Sequence, residues 1–93
     1  MTTYNYMSEM QEMCFRATQA LIVLGDKGMQ DFYAAAEQGF YNRANGLSVE
    51  EANAPINVSQ IDSYLATKDF VESKEYEAAL KLKKEQEAAD GRN

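Results

Sequence analysis

The residues of this chain that could take part in chemistry are few, and none of them forms a recognisable catalytic set. The sequence contains no histidine, so the commonest general base and the commonest transition-metal ligand are both missing. Its one cysteine, Cys14, has no histidine to activate it, and its inward place on a helical stripe predicts burial. Glu50 and Glu51 are better explained by helix capping than by acid–base work. We therefore predict a protein that is not an enzyme, with no catalytic residue, no metal site and no cofactor.

One lysine lies where a predicted helix begins and could receive an anion. Lys27 lies within the turn formed by residues 25–28, and helix N-termini attract phosphate and other anions. Arg43 or Arg16 would supply a second positive charge, with the ligand held between the subunits of a homo-oligomer. The simpler interpretation is that Lys27 is a solvated turn residue that binds no ligand. We keep an anion site at Lys27 and Arg43 as an alternative hypothesis.

Aromatic and methionine side chains are the residues most typical of a binding surface. Phe32-Tyr33 and Phe40-Tyr41 are adjacent pairs, so one ring of each pair must point away from the inner face of its helix. Tyr and Met are also enriched in the cores of protein interfaces. The predicted contact set is Tyr4, Tyr6, Met7, Met10, Phe32 and Tyr41. The alternative is that most of these side chains pack against the C-terminal segment of the same chain.

Periodic apolar residues predict the helices that must carry these side chains. Six residues are spaced 3, 4, 3, 4 and 3 apart, which places them on one stripe of a first helix. They are Met7, Met10, Cys14, Ala17, Leu21 and Leu24. Gly25 predicts a left-handed helix stop, and a second helix is predicted from about Met29 to Ala44. Together they form an antiparallel helical hairpin over residues 4–46.

The remainder of the chain is predicted to be a connector followed by a C-terminal helical segment. The connector, residues 47–58, contains the capping-box pattern Ser48-Val49-Glu50-Glu51 and then Pro55, which ends any helix there. The C-terminal segment, residues 59–90, opens at Ser59. It could be one helix or several, and a break near Ser73 is favoured.

These elements predict an all-α fold. The C-terminal segment is expected to cross the hairpin in a small helical bundle, with Ile61, Tyr64 and Leu65 on its inner face. A chain of 93 residues has room for one domain, so residues 1–93 are predicted to form a single helical domain.

Charge and hydropathy exclude some classes of partner. The net charge of −6 is opposite to the basic surface that neutralises phosphates, so we expect no direct nucleic-acid binding. No apolar run is long enough to cross a bilayer, which predicts no membrane partner. A single cysteine allows no intrachain disulfide, and a cytoplasmic location is the default expectation.

In size and composition the chain resembles the small, histidine-poor proteins that phages and mobile elements encode. That resemblance implies a non-catalytic accessory or inhibitor protein that binds a larger host protein or complex, in the host cytoplasm. One alternative is a structural subunit of a larger assembly, including a virion. Another is an oligomeric binder of a small anionic or nucleotide ligand. A protein partner is expected in the first case. A homo-oligomer is possible, and a stable one would favour the structural alternative.

Overall fold

A computed structural model describes residues 1–90 of the chain, without the side chains of residues 89 and 90. This part of the chain forms five α-helices and no β-strand, which confirms the predicted all-α bundle. The helices are α1 (Thr3–Leu24), α2 (Lys27–Asn45), α3 (Val49–Asn53), α4 (Val58–Val71) and α5 (Lys74–Asp90).

Helix α1 is the central element and packs against each of the other four helices. Ala17, in the second half of α1, is fully buried, and a side chain this small lets the neighbouring helices approach closely. The core consists of Tyr6, Met7, Met10, Met13, Ala17, Ala20, Val71, Tyr76 and Ala79. The radius of gyration is 15.3 Å, against about 12 Å for a compact domain of this length. The molecule is therefore elongated, and its core is thin.

The hairpin of α1 and α2 is fixed by its turn. Gly25 has a φ of 76°, in the left-handed region that glycine favours, and this confirms the predicted helix stop. The carboxylate of Asp26 then accepts a hydrogen bond from the backbone N–H of Met29 at 3.1 Å. Because Asp26 is the N-cap, α2 begins at Lys27, two residues before the predicted start. The rings of Tyr6 and Phe40, 6.0 Å apart, hold the far ends of the two helices together.

The predicted inner stripe of α1 is correct except at its end. Its first five members are buried, but Leu24, the last residue before the chain turns at Gly25, is 56% exposed. The helix also begins earlier than the stripe does. Thr2 is the N-cap and its hydroxyl accepts a hydrogen bond from the N–H of Asn5 at 3.2 Å.

Two capping boxes organise the connector. The predicted one is confirmed, since the N–H of Glu51 donates to the Ser48 hydroxyl at 3.1 Å and the N–H of Ser48 donates to the Glu51 carboxylate at 3.3 Å. The second was not predicted and joins Asn57 to Gln60 by two hydrogen bonds of 2.9 Å. Helix α4 therefore begins at Val58 and not after Ser59.

The C-terminal segment is broken near Ser73, as predicted. Helix α4 ends at Val71, and the Ser73 hydroxyl accepts a hydrogen bond from the N–H of Tyr76 at 3.2 Å in the first turn of α5. The predicted inner face of α4 is wrong for two of its three residues, because Ile61 and Leu65 are exposed and only Tyr64 is partly buried. The segment is anchored instead by the buried residues Val71, Tyr76 and Ala79.

The N-terminus is tied to the connector. The carbonyl of Ala54 accepts hydrogen bonds from the N–H and the hydroxyl of Thr3, at 2.8 and 2.9 Å. The N–H of Ile56 donates to the carbonyl of Met1 at 3.3 Å. Hydrophobic periodicity does not reveal contacts of this kind, because they use backbone groups.

Candidate functional site

A groove lies where the hairpin turn meets the junction of α4 and α5. Its volume is about 450 Å³, within the range of ligand-binding cavities. We call it the tip groove, and it is lined by Ala20, Leu21, Leu24, Asp26, Met29, Phe70, Ser73, Glu75 and Tyr76. Most of its lining is apolar, and its polar residues are Asp26, Ser73, Glu75 and, through its hydroxyl, Tyr76.

Helix caps position both sides of the tip groove. Leu24 is the last residue of α1 and Met29 is the third of α2, and the Gly25 stop and the Asp26 cap fix the turn between them. On the other side, Ser73 caps α5. The two exposed apolar side chains of the groove, Leu24 and Met29, are thus carried on ordered helix ends.

Aromatic stacking fixes the wall formed by Phe70. Its ring is stacked on Tyr33, with the ring planes 6° apart and the centroids separated by 5.5 Å. On the α5 side it meets Tyr76 at 6.2 Å in an edge-to-face arrangement. Such pairs add to the energy of area burial, so Phe70 links α2, α4 and α5.

Tyr76 is buried and its hydroxyl has no hydrogen-bond partner in the described part of the chain. The Arg16 guanidinium lies over its ring, 5.7 Å from the centroid, which is cation–π geometry. Burial raises the pKa of the Tyr76 hydroxyl, while the charge of Arg16 and the approach of its side-chain donors, which form no hydrogen bond of normal geometry with the hydroxyl, act in the opposite direction.

A second groove, between α1 and α4, is smaller and strongly charged. It has a volume of about 340 Å³, and five of its nine lining residues carry charged side chains. These are Glu9, Glu12, Arg16, Lys68 and Glu72. A ligand there would have to displace the hydration of charges of both signs, so we regard the tip groove as the candidate site.

The six residues of the predicted contact set divide into two groups. Tyr6, Met7 and Met10 are buried in the core of this chain and have almost no surface to offer. They are covered because α1 lies in the centre of the fold, which an isolated helical stripe does not reveal. The other three, Tyr4, Phe32 and Tyr41, are exposed.

Phe32 and Tyr41 cannot belong to one flat surface. They are nine residues apart in a continuous helix, which places them about 180° apart around its axis. Phe32 lies one turn from Met29 and extends the apolar rim of the tip groove. Leu24 and Met29 are absent from the predicted contact set, although their positions beside the Gly25 stop marked them as helix-end residues.

The predicted anion-binding residues do not converge within one chain. Lys27 and Arg43 are at opposite ends of α2, about 24 Å apart along its axis. Lys27 forms an exposed ion pair with Asp31 at 2.9 Å, and Arg16 is directed to Tyr76. The hypothesis of an anion site therefore has no geometric support in a single subunit.

Cys14 is buried on the inner face of α1, as predicted. Burial raises the pKa of its thiol from 9.0 to about 11, and the negative charge of Glu37 adds to the shift. A thiol with a raised pKa is a poor nucleophile at neutral pH.

Comparison with known proteins assigns no family to the chain. It matches no protein-family model, no curated protein and no solved structure. Within residues 1–90, no helix is both long and apolar enough to cross a membrane. In the same range, no three acidic or cysteine side chains are grouped as a metal site would require.

Proposed function

We propose that this chain is a non-catalytic interaction protein whose tip groove receives a bulky apolar side chain of a partner protein. The observation that supports this is the groove itself, a space of about 450 Å³ with mainly apolar walls and with Leu24 and Met29 exposed at its edge. The residues that dominate binding energies typically fill such pockets.

The composition of the groove favours an amphipathic helix as the binding element. Methionine adapts its shape to different apolar groups, which suits Met29 to a wall that closes around a side chain. Phe32 continues the apolar rim one turn further along α2. A helix presenting apolar residues at three- and four-residue spacing would place one in the groove and the next against Phe32.

A selection experiment tests this proposal and does not require the natural partner. A display library of helical peptides would be selected on the wild-type chain, and the enriched peptides measured against the double variant Leu24→Ser/Met29→Ser. Leu24 is 56% and Met29 42% exposed, so the substitutions should change stability little. We expect peptides with apolar residues at helical spacing, and at least a tenfold loss of affinity for the variant.

The matched control is Val49→Ser/Val58→Ser, which removes two apolar side chains that are more exposed and lie outside the groove. Its affinity for the selected peptides should equal that of the wild type. Peptides that bind both double variants as tightly as the wild type would show that the groove is not the binding site.

The wider biological role rests on size and composition alone. An accessory or inhibitor protein that acts on a larger host protein in the cytoplasm remains our proposal. A structural role in an assembly is the alternative, and it requires that the chain self-associate at working concentrations.

A further inference from the structure

Helix α1 carries a second apolar stripe on the side that faces away from the core. Tyr4, Phe15 and Ile22 are spaced 11 and seven residues apart, close to three and two whole turns, so they lie on one line along the helix. Each is about half exposed, at 49%, 49% and 50%. Single exposed apolar residues are common, but here three lie on one line of one helix, with the polar residues Ser8, Gln11 and Gln19 between them.

Helix α2 adds Tyr41 to this side of the hairpin. Phe15 of α1 and Glu37 of α2 line the same shallow cavity of about 190 Å³. Tyr41 lies one helical turn beyond Glu37 and is 48% exposed. We define the outer face as Tyr4, Phe15, Ile22 and Tyr41, together with the carboxylates Glu12 and Glu37 beside Phe15.

The carboxylates of the outer face give it negative charge, although Glu12 also lines the second groove beside Arg16 and Lys68. No basic side chain lines the cavity that Phe15 shares with Glu12 and Glu37. The ion pairs of the described residues involve neither carboxylate. Arg16, one turn from Glu12, is directed to the ring of Tyr76, and Lys83 is engaged by Gln19 and Glu87. A partner that brings positive charge would therefore find two carboxylates that form no ion pair within the described residues.

The size of the outer face fits one helix better than a broad surface. Four half-exposed side chains of this size offer about 100 Å² each, or about half of what one partner buries in a standard interface. The strip from Tyr4 to Ile22 is about 27 Å long. A helix of about 18 residues would cover it from end to end.

We propose that the outer face binds a basic amphipathic helix of another protein. Its apolar residues would lie along the strip and its Lys or Arg residues beside Glu12 and Glu37. This site is independent of the tip groove, because Ile22 and Leu24 lie about 160° apart around α1. Both sites can be occupied at once, so the chain could join two partners.

A second copy of the chain is the less suitable occupant. In a two-fold dimer each residue meets its symmetry equivalent near the axis. An axis through the middle of the strip would bring Glu12 and Glu37 of both copies together, and like charges in contact oppose association.

The experiment uses two helical peptides of about 18 residues with the same Leu positions, one with Lys and one with Glu at the polar positions. Binding to the full chain would be followed by fluorescence anisotropy at low and high salt. We expect the Lys peptide to bind at least tenfold more tightly than the Glu peptide. In Glu12→Gln/Glu37→Gln the affinity for the Lys peptide should fall about tenfold, and with it most of the salt dependence.

The control variant Glu77→Gln/Glu85→Gln removes the same net charge from α5, where both carboxylates are exposed. Its affinity for the Lys peptide should stay within twofold of the wild type. An equal loss in both variants would overturn the proposal, because it would show a general attraction to an acidic chain. Concentration-dependent doubling of the mass in light scattering, abolished by Phe15→Ser, would overturn it in favour of a second copy.

The variant Leu24→Ser/Met29→Ser separates this site from the tip groove. Because the Lys peptide is itself an amphipathic helix that the tip groove could receive, the outer face is measured in this variant, which should keep the tenfold preference for the Lys peptide over the Glu peptide. Loss of the Lys peptide in this variant would show that the peptide occupies the groove and would overturn the assignment to the outer face.

Discussion

Replacing Tyr76 by phenylalanine should stabilise the protein. The ring of Tyr76 packs against Phe70 and beneath Arg16, and the substitution preserves both contacts. What it removes is a buried hydroxyl with no hydrogen-bond partner in the described part of the chain. Burying such a group costs about 1–3 kcal/mol in proteins. We expect Tyr76→Phe to raise the free energy of unfolding by about 1 kcal/mol, which corresponds to about 4–8 °C in Tm.

Urea denaturation followed by far-UV circular dichroism measures this change directly. Tyr4→Phe is the control, because Tyr4 is half exposed and surface substitutions of this kind stay within about 0.5 kcal/mol. A loss of more than about 1 kcal/mol in Tyr76→Phe would refute the reasoning. It would show that the hydroxyl is paired after all, with the Arg16 guanidinium as the group within reach.

The same substitution should change the pH dependence of stability. Burial raises the pKa of Tyr76 in the folded state, above the ordinary value of about 10. Below about pH 10 the hydroxyl is protonated in both states, and its full contribution to stability is present. As the pH rises towards the folded-state pKa, the unfolded chain ionises first, and this contribution is lost. The wild type must therefore lose more stability than Tyr76→Phe above about pH 10, so the advantage of the variant should grow with pH.

Three further predictions concern Gly25, Gly39 and Cys14. Gly25→Ala should lower the free energy of unfolding by about 1 kcal/mol, because φ is 76° at this position. Gly39→Ala should raise the free energy of unfolding by up to about 1 kcal/mol, since an added Cβ meets nothing within 4 Å. Thermal denaturation should therefore show a lower Tm for Gly25→Ala and a higher Tm for Gly39→Ala than for the wild type. For Cys14, a rise in pKa from 9.0 to about 11 lowers the thiolate fraction at pH 8 about 100-fold. A thiol reagent should therefore label the native protein about 100 times more slowly than the urea-unfolded chain, and equal rates would contradict its burial.

Several features of the fold could be predicted because they depend on neighbours in sequence. The Gly25 stop, the Ser48 capping box and the break near Ser73 all follow from hydrogen bonds or backbone angles within four residues. The missed N-caps, Thr2 and Asn57, are of the same local kind and could have been recognised from their residue types. Because neither cap was identified, the predicted starts of α1 and α4 come later in the chain than the observed ones.

The binding surfaces could be predicted only in part. Aromatic residues on the outside of the hairpin were expected, and Tyr4, Phe32 and Tyr41 are exposed. They were grouped into one surface, although the nine-residue spacing of the last two already placed them on opposite sides of α2. The tip groove was not predicted, because its walls come from residues that are about 50 positions apart in the chain.

Local sequence is enough to specify the helices and where most of them stop, since a period of 3.6 residues and the capping groups act over a few positions. It also accounts for the burial of Cys14, which lies in the middle of the strongest stripe. Tertiary packing decides which of the other apolar side chains are exposed to solvent. Tyr6 and Leu24 lie at the two ends of α1, yet α2 covers the first, and the second stays 56% exposed at the edge of the tip groove. Burial depends on which other segments arrive at a position, and the periodicity of a single helix does not contain that information.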